Sequence, residues 1–388
     1  MPLQIFQSAL RSTVFDIMTL QFRFAILSDP HVALPATIWD NPGRFHLVEL
    51  SIPVLEAVFE RLDPLNLDFL LIPGDLTQHG EPENHTWLVQ RLAKLPYPTY
   101  VIPGNHDVVS QFATECSIGL SDFPHYYEKF GYSDPSQLYY SCQPLPGLRL
   151  IGLNSNGFDA SGQQFRSGWL DPTQLDWLKQ ALAEAGDDLI FVMLHHNVLE
   201  HLPGQSRSHM GQRYMLQNTN ALLPLLQAAG APLLFTGHLH VQDVAQHQQG
   251  HWRLHEVTTG SLVGYPHPYR ILELHRDALG WALQIESGRV TQVEGLPDLQ
   301  QSSREWMGDH SFGFMLKFLT EPPLSLPLAE AEQLAPDLRY FWADIANGDA
   351  RFEFPHLPQP LQQFLTRFGA LSPTGELLPI DNNATLRF

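Results

Sequence analysis

A chain of 388 residues with 44% hydrophobic and 16% charged residues can bury an α/β core plus an appendage, and its composition excludes a disordered protein. A formal net charge of -19 repels nucleic-acid backbones and anionic lipid surfaces, which excludes a nucleic-acid duplex and a membrane as main partners. Only Cys116 and Cys142 are present, outside any Cys-x-x-Cys pair, so the thiols fit a reducing compartment better than a disulfide framework, a single bridge being the alternative.

Residues 1–20 carry scattered apolar residues without the continuous run or small-residue cleavage site of a signal peptide. They read as a tail, and Met18 offers an alternative start to Met1. No stretch reaches the roughly 20 apolar residues of a membrane span, and a cytoplasmic location is expected. Short apolar runs then follow at 22–28 (FRFAILS), 69–73 (FLLIP), 99–103 (TYVIP), 148–154 (LRLIGLN), 189–195 (LIFVMLH) and 232–237 (PLLFTG). Strands that are apolar on both faces belong to a sheet covered on both sides. Helical patterns lie between them. One covers 52–62 with Ser51 as N-cap, and a second covers 85–95. A third follows the N-cap Asp171, with Pro172 in its first turn and Leu175, Trp177, Leu178 and Leu182 on its apolar face. A fourth spans 221–229 and stops at Gly230. Further strands near 256–261, 270–275 and 281–287 suggest a second sheet. After about residue 290 the pattern becomes helical at 328–334, 338–347 and 360–368, without a cluster of histidines or carboxylates. The division expected is a tail at 1–20, an α/β domain at 21–290 and a mostly helical C-terminal extension at 291–388.

Chemistry-bearing residues follow the strands. Asp29-Pro30-His31 follows the first, Gly74-Asp75 the second and Gly104-Asn105-His106-Asp107 the third. His195-His196-Asn197 and Gly237-His238-Leu239-His240 close two later ones. Ligands in open α/β sheets bind beyond the carboxyl ends of strands. An extended chain would point Asp29 and His31 the same way, and likewise His238 and His240. Gly74 and Gly104 leave room for close backbone approach. Each piece alone has an ordinary structural role, such as a helix cap for Asp29 or a turn for Asn105. Five pieces in order, each after its own strand, outweigh those roles. The donors Asp29, His31, Asp75, Asn105, His195 (or His196), His238 and His240 are oxygen and imidazole without thiolate. They suit divalent Mn, Fe, Zn or Co, and they are too many for one ion. With one shared carboxylate they suit two.

These five motifs resemble those of the calcineurin-like metallophosphoesterases over roughly residues 20–290. The resemblance implies a four-layer α/β/β/α sandwich with a dinuclear site. It implies one metal held by Asp29, His31, Asp75 and His240, and another by Asp75, Asn105, His195 and His238, with Asp75 bridging. It favours His195 over His196, which would then face the substrate or pack. The wording Asp-Pro-His, the Gly-Asn-His-Asp box and the pattern from Gly168-Trp169-Leu170 to Gln174-Leu175-Asp176-Trp177-Leu178 are similar to the bacterial cyclic-nucleotide and glycerophosphodiester phosphodiesterase branch. Asn197, where that branch often has proline, is a departure.

The implied function is hydrolysis of a small phosphodiester by metal-activated hydroxide, the alternative being a phosphomonoesterase acting on a nucleotide or phosphoprotein. His106 is the expected non-ligand catalyst. Asp107, the second catalytic candidate, is expected either to orient His106 or an adjacent group or to stabilise the turn. The loop 197–218 should border the site, with His201 and His209 as candidate contacts. The C-terminal extension should cap the site or form homodimer contacts. A non-catalytic scaffold is disfavoured because every donor position is filled, and a DNA nuclease is disfavoured by the charge.

Overall fold

The computed structural model describes residues 21–39, 44–372 and 374–388. The tail at 1–20, with the choice between Met1 and Met18, lies outside the described residues. Strands β1 (Phe22–Ile26), β2 (Phe69–Ile72) and β3 (Thr99–Val101) run parallel. The second sheet holds β4 (Tyr140–Leu145), β5 (Leu148–Gly152), β6 (Leu189–Met193), β7 (Leu233–Thr236), β8 (Asp243–Gln249) and β9 (Trp252–Thr258), in the order β4-β5-β6-β7-β9-β8. Within it β5, β6, β7 and β9 are parallel, and β4 and β8 are antiparallel edges. The first sheet is completed by β10 (Pro268–Asp277), β11 (Gly280–Arg289) and β12 (Asn383–Arg387), in the order β12-β11-β10-β1-β2-β3.

The late strands therefore do not form a second sheet of their own. β9 joins the sheet of β7, whereas β10 pairs antiparallel with β1 and adds a hairpin to the first sheet. Both strands mix apolar and polar residues, and partner choice is a tertiary matter. Residues 291–388 carry six helical segments between Leu299 and Thr366 and then β12, which lies antiparallel against β11.

Period-two alternation sorts the side chains of β6. Phe191 and Met193 enter the inter-sheet core, and Ile190, Val192 and Leu194 face the outer helices. Phe22, Phe24, Phe69, Phe191 and Phe235 form the aromatic centre between the sheets, with Phe24 and Phe69 stacked at 4.9 Å. The helix Ser51–Leu62 packs its Val54, Leu55, Val58 and Phe59 against the first sheet. The helices Pro172–Glu184 and Thr219–Ala228 cover the second. Four layers result, and the strand ends carrying the motifs converge on one edge of the sandwich.

Local details revise the helix expectations. Ser51 does not cap its helix, because a 3-10 turn at Val48–Leu50 leads in, and the Ser51 hydroxyl accepts from the Ala33 amide at 3.1 Å. The second helix is Pro82–Leu92, since Pro82 is preset for the first turn. Asp171 caps as expected, accepting from the Gln174 amide at 3.0 Å. Among the described residues, no helix is long and apolar enough to cross a membrane.

Candidate metal centre

The loops after the strands do not stay extended. Asp29, His31, Asp75, His238 and His240 have φ of 49°, 40°, 50°, 66° and 60°. Left-handed non-glycine residues carry strain, and five of them in one cluster mark a place where the surrounding fold over-determines the backbone. The spacing Asp-x-His thus works by turning, not by the extended geometry read from sequence. Backbone hydrogen bonds hold the turns: the Asp29 amide donates to Gly74 O (3.2 Å) and the His31 amide to Asp75 O (2.9 Å). The glycines permit the approach. A Cβ on Gly74 would lie 2.5 Å from His195 Nδ1, and one on Gly104 would overlap the amide and carboxylate of Asp75. A Cβ on Gly237 would overlap the side chains of Ser28 and Asp29.

The donors of Asp29, His31, Asp75 and His240 lie within 4.8 Å of one another, and so do those of Asp75, His195 and His238. Asn105 Oδ1 is 3.2 Å from His195 Nε2 and so borders the second group. Asp75 belongs to both. Its Oδ1 accepts from the His106 amide at 2.8 Å, and its Oδ2 is buried without a hydrogen-bond partner, 3.3 Å from His195 Nε2 and 3.7 Å from His31 Nε2. An unpaired buried carboxylate oxygen facing imidazole nitrogens is costly unless a cation completes it. Two further contacts point the same way. His31 Nε2 and His240 Nε2 face each other at 3.5 Å, and His240 Nε2 is 3.1 Å from Asp29 Oδ1. The residues present therefore fit a pair of divalent cations.

Carbonyls set the tautomers. His195 Nδ1 donates to Pro73 O (2.8 Å), which turns its Nε2 toward the centre, and His238 Nε2 donates to Arg213 O (3.2 Å), leaving Nδ1. Burial and neighbouring imidazoles push His31, His46 and His238 well below the ordinary histidine range, so they are neutral and able to ligate. For His195 burial acts downward, but the Asp75 and Asp29 carboxylates prevail and raise it to about 9. Burial pushes Asp75 upward, yet His195, His106 and His31 hold it well below the usual carboxylate range.

His106 donates from Nδ1 to Gln78 O at 2.8 Å, which leaves Nε2 for the pocket. Asp107 does not orient it. The Asp107 carboxylate accepts from the amides of Gly104 (2.8 Å), Leu76 (3.0 Å) and Thr77 (2.8 Å), so it ties the second and third motifs together. Burial and the Asp75 charge raise Asp107 to about 7. His196 packs: its Nδ1 meets Ser155 Oγ at 2.7 Å, and burial with its neighbour His195 lowers it to about 3. His201 is no substrate contact, because it is buried between Asp243 and Glu256. His209 is exposed and lies off the pocket wall.

The pocket over the centre is about 500 Å³, and the loop 197–218 does border it, through Arg213 and Tyr214. Sequence reasoning missed His46, which stacks on His31 at 4.2 Å and lies 4.8 Å from His240. It also missed Glu256, which accepts from the amides of Val198 (3.0 Å) and Leu199 (2.6 Å) and fixes the chain beyond His195. His46 follows no apolar run, and Glu256 sits inside a strand, so neither had a positional signal.

Two mixed sheets with a nitrogen- and oxygen-donor cluster at the strand ends define a metal-dependent hydrolase. The chain belongs to the calcineurin-like phosphoesterase family, whose model matches residues 22–242. It is 26% identical over 242 residues to a 3',5'-cyclic-nucleotide phosphodiesterase of Nostoc sp., covering 59% of this chain and 81% of that one. It is 28% identical over 187 residues to the glycerophosphodiester phosphodiesterase GpdQ of Enterobacter lignolyticus, covering 47% of this chain and 59% of that one. A dimetal phosphatase structure from Danio rerio shares the fold, with a TM-score of 0.50, 13% identity and coverage of 69% of this chain and 96% of that one.

Proposed function

We propose that the chain hydrolyses a small phosphodiester with the help of two divalent cations. The observation that carries the reading is Asp75, a buried carboxylate common to both donor groups with one oxygen unsatisfied. In this reading Asp29, His31, Asp75 and His240 hold one cation, and Asp75, Asn105, His195 and His238 hold the other. The oxygen and imidazole set suits Mn, Fe, Zn or Co. When bound, the pair supplies Lewis acidity and an activated water nucleophile at neutral pH.

The chain's own residues do the rest. The Gln78 carbonyl fixes the His106 ring, so that its Nε2 can hydrogen-bond a phosphoryl oxygen or deliver a proton to the leaving alkoxide. Arg166 and Arg213 line the pocket and offer guanidinium donors to phosphate oxygens. Asp107 and Glu256 hold the loops that present these groups. The diester preference is supported by relatives named for cyclic-nucleotide and glycerophosphodiester substrates. A cytoplasmic enzyme acting on a small metabolite is the matching cellular reading.

The test is hydrolysis of bis(p-nitrophenyl) phosphate by purified protein supplied with Mn, with metal content measured alongside. Asp75→Asn or Asn105→Ala should reduce turnover to background. Full activity in either variant with unchanged metal content would overturn the dinuclear assignment. A larger kcat/KM for monoesters than for diesters would favour a phosphomonoesterase instead.

A further inference from the structure

Beside the metal-side pocket lies a second cavity of about 370 Å³, walled by the loop 202–214 and by the helices Phe312–Thr320, Phe341–Ala346 and Gln359–Thr366. We infer that this cavity receives an apolar ester group of the phosphodiester, so that the substrate is a phosphodiester of a hydrophobic alcohol. The inference rests on the phosphodiesterase reading and narrows its substrate class.

Adjacency is the first argument. Tyr214, Phe314 and Trp342 line both spaces. The Tyr214 ring is 5.2 Å from the ring of His238, so the partition stands directly against the donor cluster. Phe314 and Trp342 pair at 5.1 Å and complete it. A group bonded to phosphorus over the centre therefore lies next to the second space, with these aromatic side chains common to both walls.

The walls give the second argument. The metal-side pocket mixes Asp75, Asn105, imidazoles and arginines with Trp39, Phe45 and Phe165, whereas the second cavity has no histidine or aspartate among the described residues of its wall and presents Met210, Phe318, Phe341, Trp342, Ile345 and Phe364. Arg207, Arg367 and Glu321 are the charged residues on its wall. Buried Met315, Leu319, Phe341 and Leu365 already give the C-terminal helices a core of their own. Phe318, Phe364 and Trp342 remain half-buried and leave aromatic surface for a ligand. Pockets of this kind, apolar with polar groups at one end, orient amphipathic ligands.

The test uses the full metal-loaded chain and inert probes. Calorimetry compares hexylphosphonate with methylphosphonate, and hexylphosphonate should bind tighter by about two- to fourfold per added methylene while the cavity fills. The kcat/KM ratio of hexyl to methyl p-nitrophenyl phosphate should rise in parallel. Met210→Glu, which places a carboxylate in the cavity, should bring both ratios close to one. Phe364→Ala, which enlarges the space, should move the optimum to a longer chain. Because each readout is a ratio within one protein, partial misfolding does not imitate it. Equal affinities for the two phosphonates, or a preference that survives Met210→Glu, would overturn the proposal. Equal affinities together with a dimeric mass in sedimentation would assign the cavity to a second copy of the chain. A hexyl preference without any diester turnover would support the cavity as the apolar site and sink the phosphodiesterase reading.

Discussion

Asp75 shows how little freedom a single residue has at this centre. Its φ of 50°, its buried carboxylate and the absent side chain of Gly104 are one arrangement, because a Cβ at Gly104 would occupy the space of the Asp75 amide and carboxylate. Gly104 takes no positive φ, so its role is close approach and not conformational freedom. Gly104→Ala is therefore expected to push Asp75 out of register and lower bound metal to well under half an ion per site by plasma emission analysis, even if the fold persists. Metal content equal to that of the wild type would show that the loop can give way. The donors were legible in the sequence because each stands just after an apolar run, where a sheet delivers its loops. The reason why spacing works was not legible: left-handed turns at Asp29, His31, His238 and His240 depend on backbone partners such as Gly74 O, which lie far away in sequence. His46 belongs to the same limit, since only the fold brings it over His31.

At the scale of elements, the segment after β6 is fixed by a charged triad around the buried His201 ring. His201 bridges Asp243 at the start of β8 and Glu256 in β9, and Glu256 also accepts from Val198, Leu199 and Thr236. Burial alone would lower His201, but the two carboxylates prevail and raise it from 6.5 to about 10. The folded state then holds a proton that the unfolded chain releases above pH 6.5, so the gain is fully present below pH 6.5 and is lost as pH rises through about 10. Wild-type protein should lose urea resistance across that window by up to about 1.4 kcal/mol per pH unit more than His201→Gln does. Parallel pH profiles for the two proteins would exclude the triad as the source. The elements themselves were largely readable: the six apolar runs are strands, and Asp171 caps its helix as its sequence indicates. Their partners were not. Neither β9 nor β10 carries a local signal of its sheet, and only contacts across the sandwich send one to each.

Over the whole molecule, Arg270 joins what the sequence divides. It is fully buried on β10, and its guanidinium donates to Thr258 O (2.8 Å) in β9, to Ser287 Oγ (3.2 Å) in β11 and to Asp381 O just before β12. One side chain thus ties both sheets to the returning C-terminus, which makes the extension a structural part of the sandwich. Burial lowers Arg270 to about 10, and nearby Asp381, Asp243 and Asp349 oppose that fall, so it remains a cation at neutral pH, while burial beside Asp243 raises the Asp381 carboxyl to about 8. Arg270→Met fills a similar volume but strands the buried carbonyls of Thr258 and Asp381 and removes the positive charge from a cluster of acidic side chains. Its cost should be about 3–5 kcal/mol in urea unfolding, the usual range for removing one member of a buried charged network. Arg270→Lys keeps the charge but reaches fewer acceptors, so its loss should be smaller. Amide exchange separates this from general destabilisation: Arg270→Met should speed exchange in Asn383–Arg387 more than in Phe22–Ile26, because the first strand keeps its partners β2 and β10 while β12 has only β11. Uniform acceleration across both strands would mean that Arg270 supports the core generally and does not anchor the C-terminal segment.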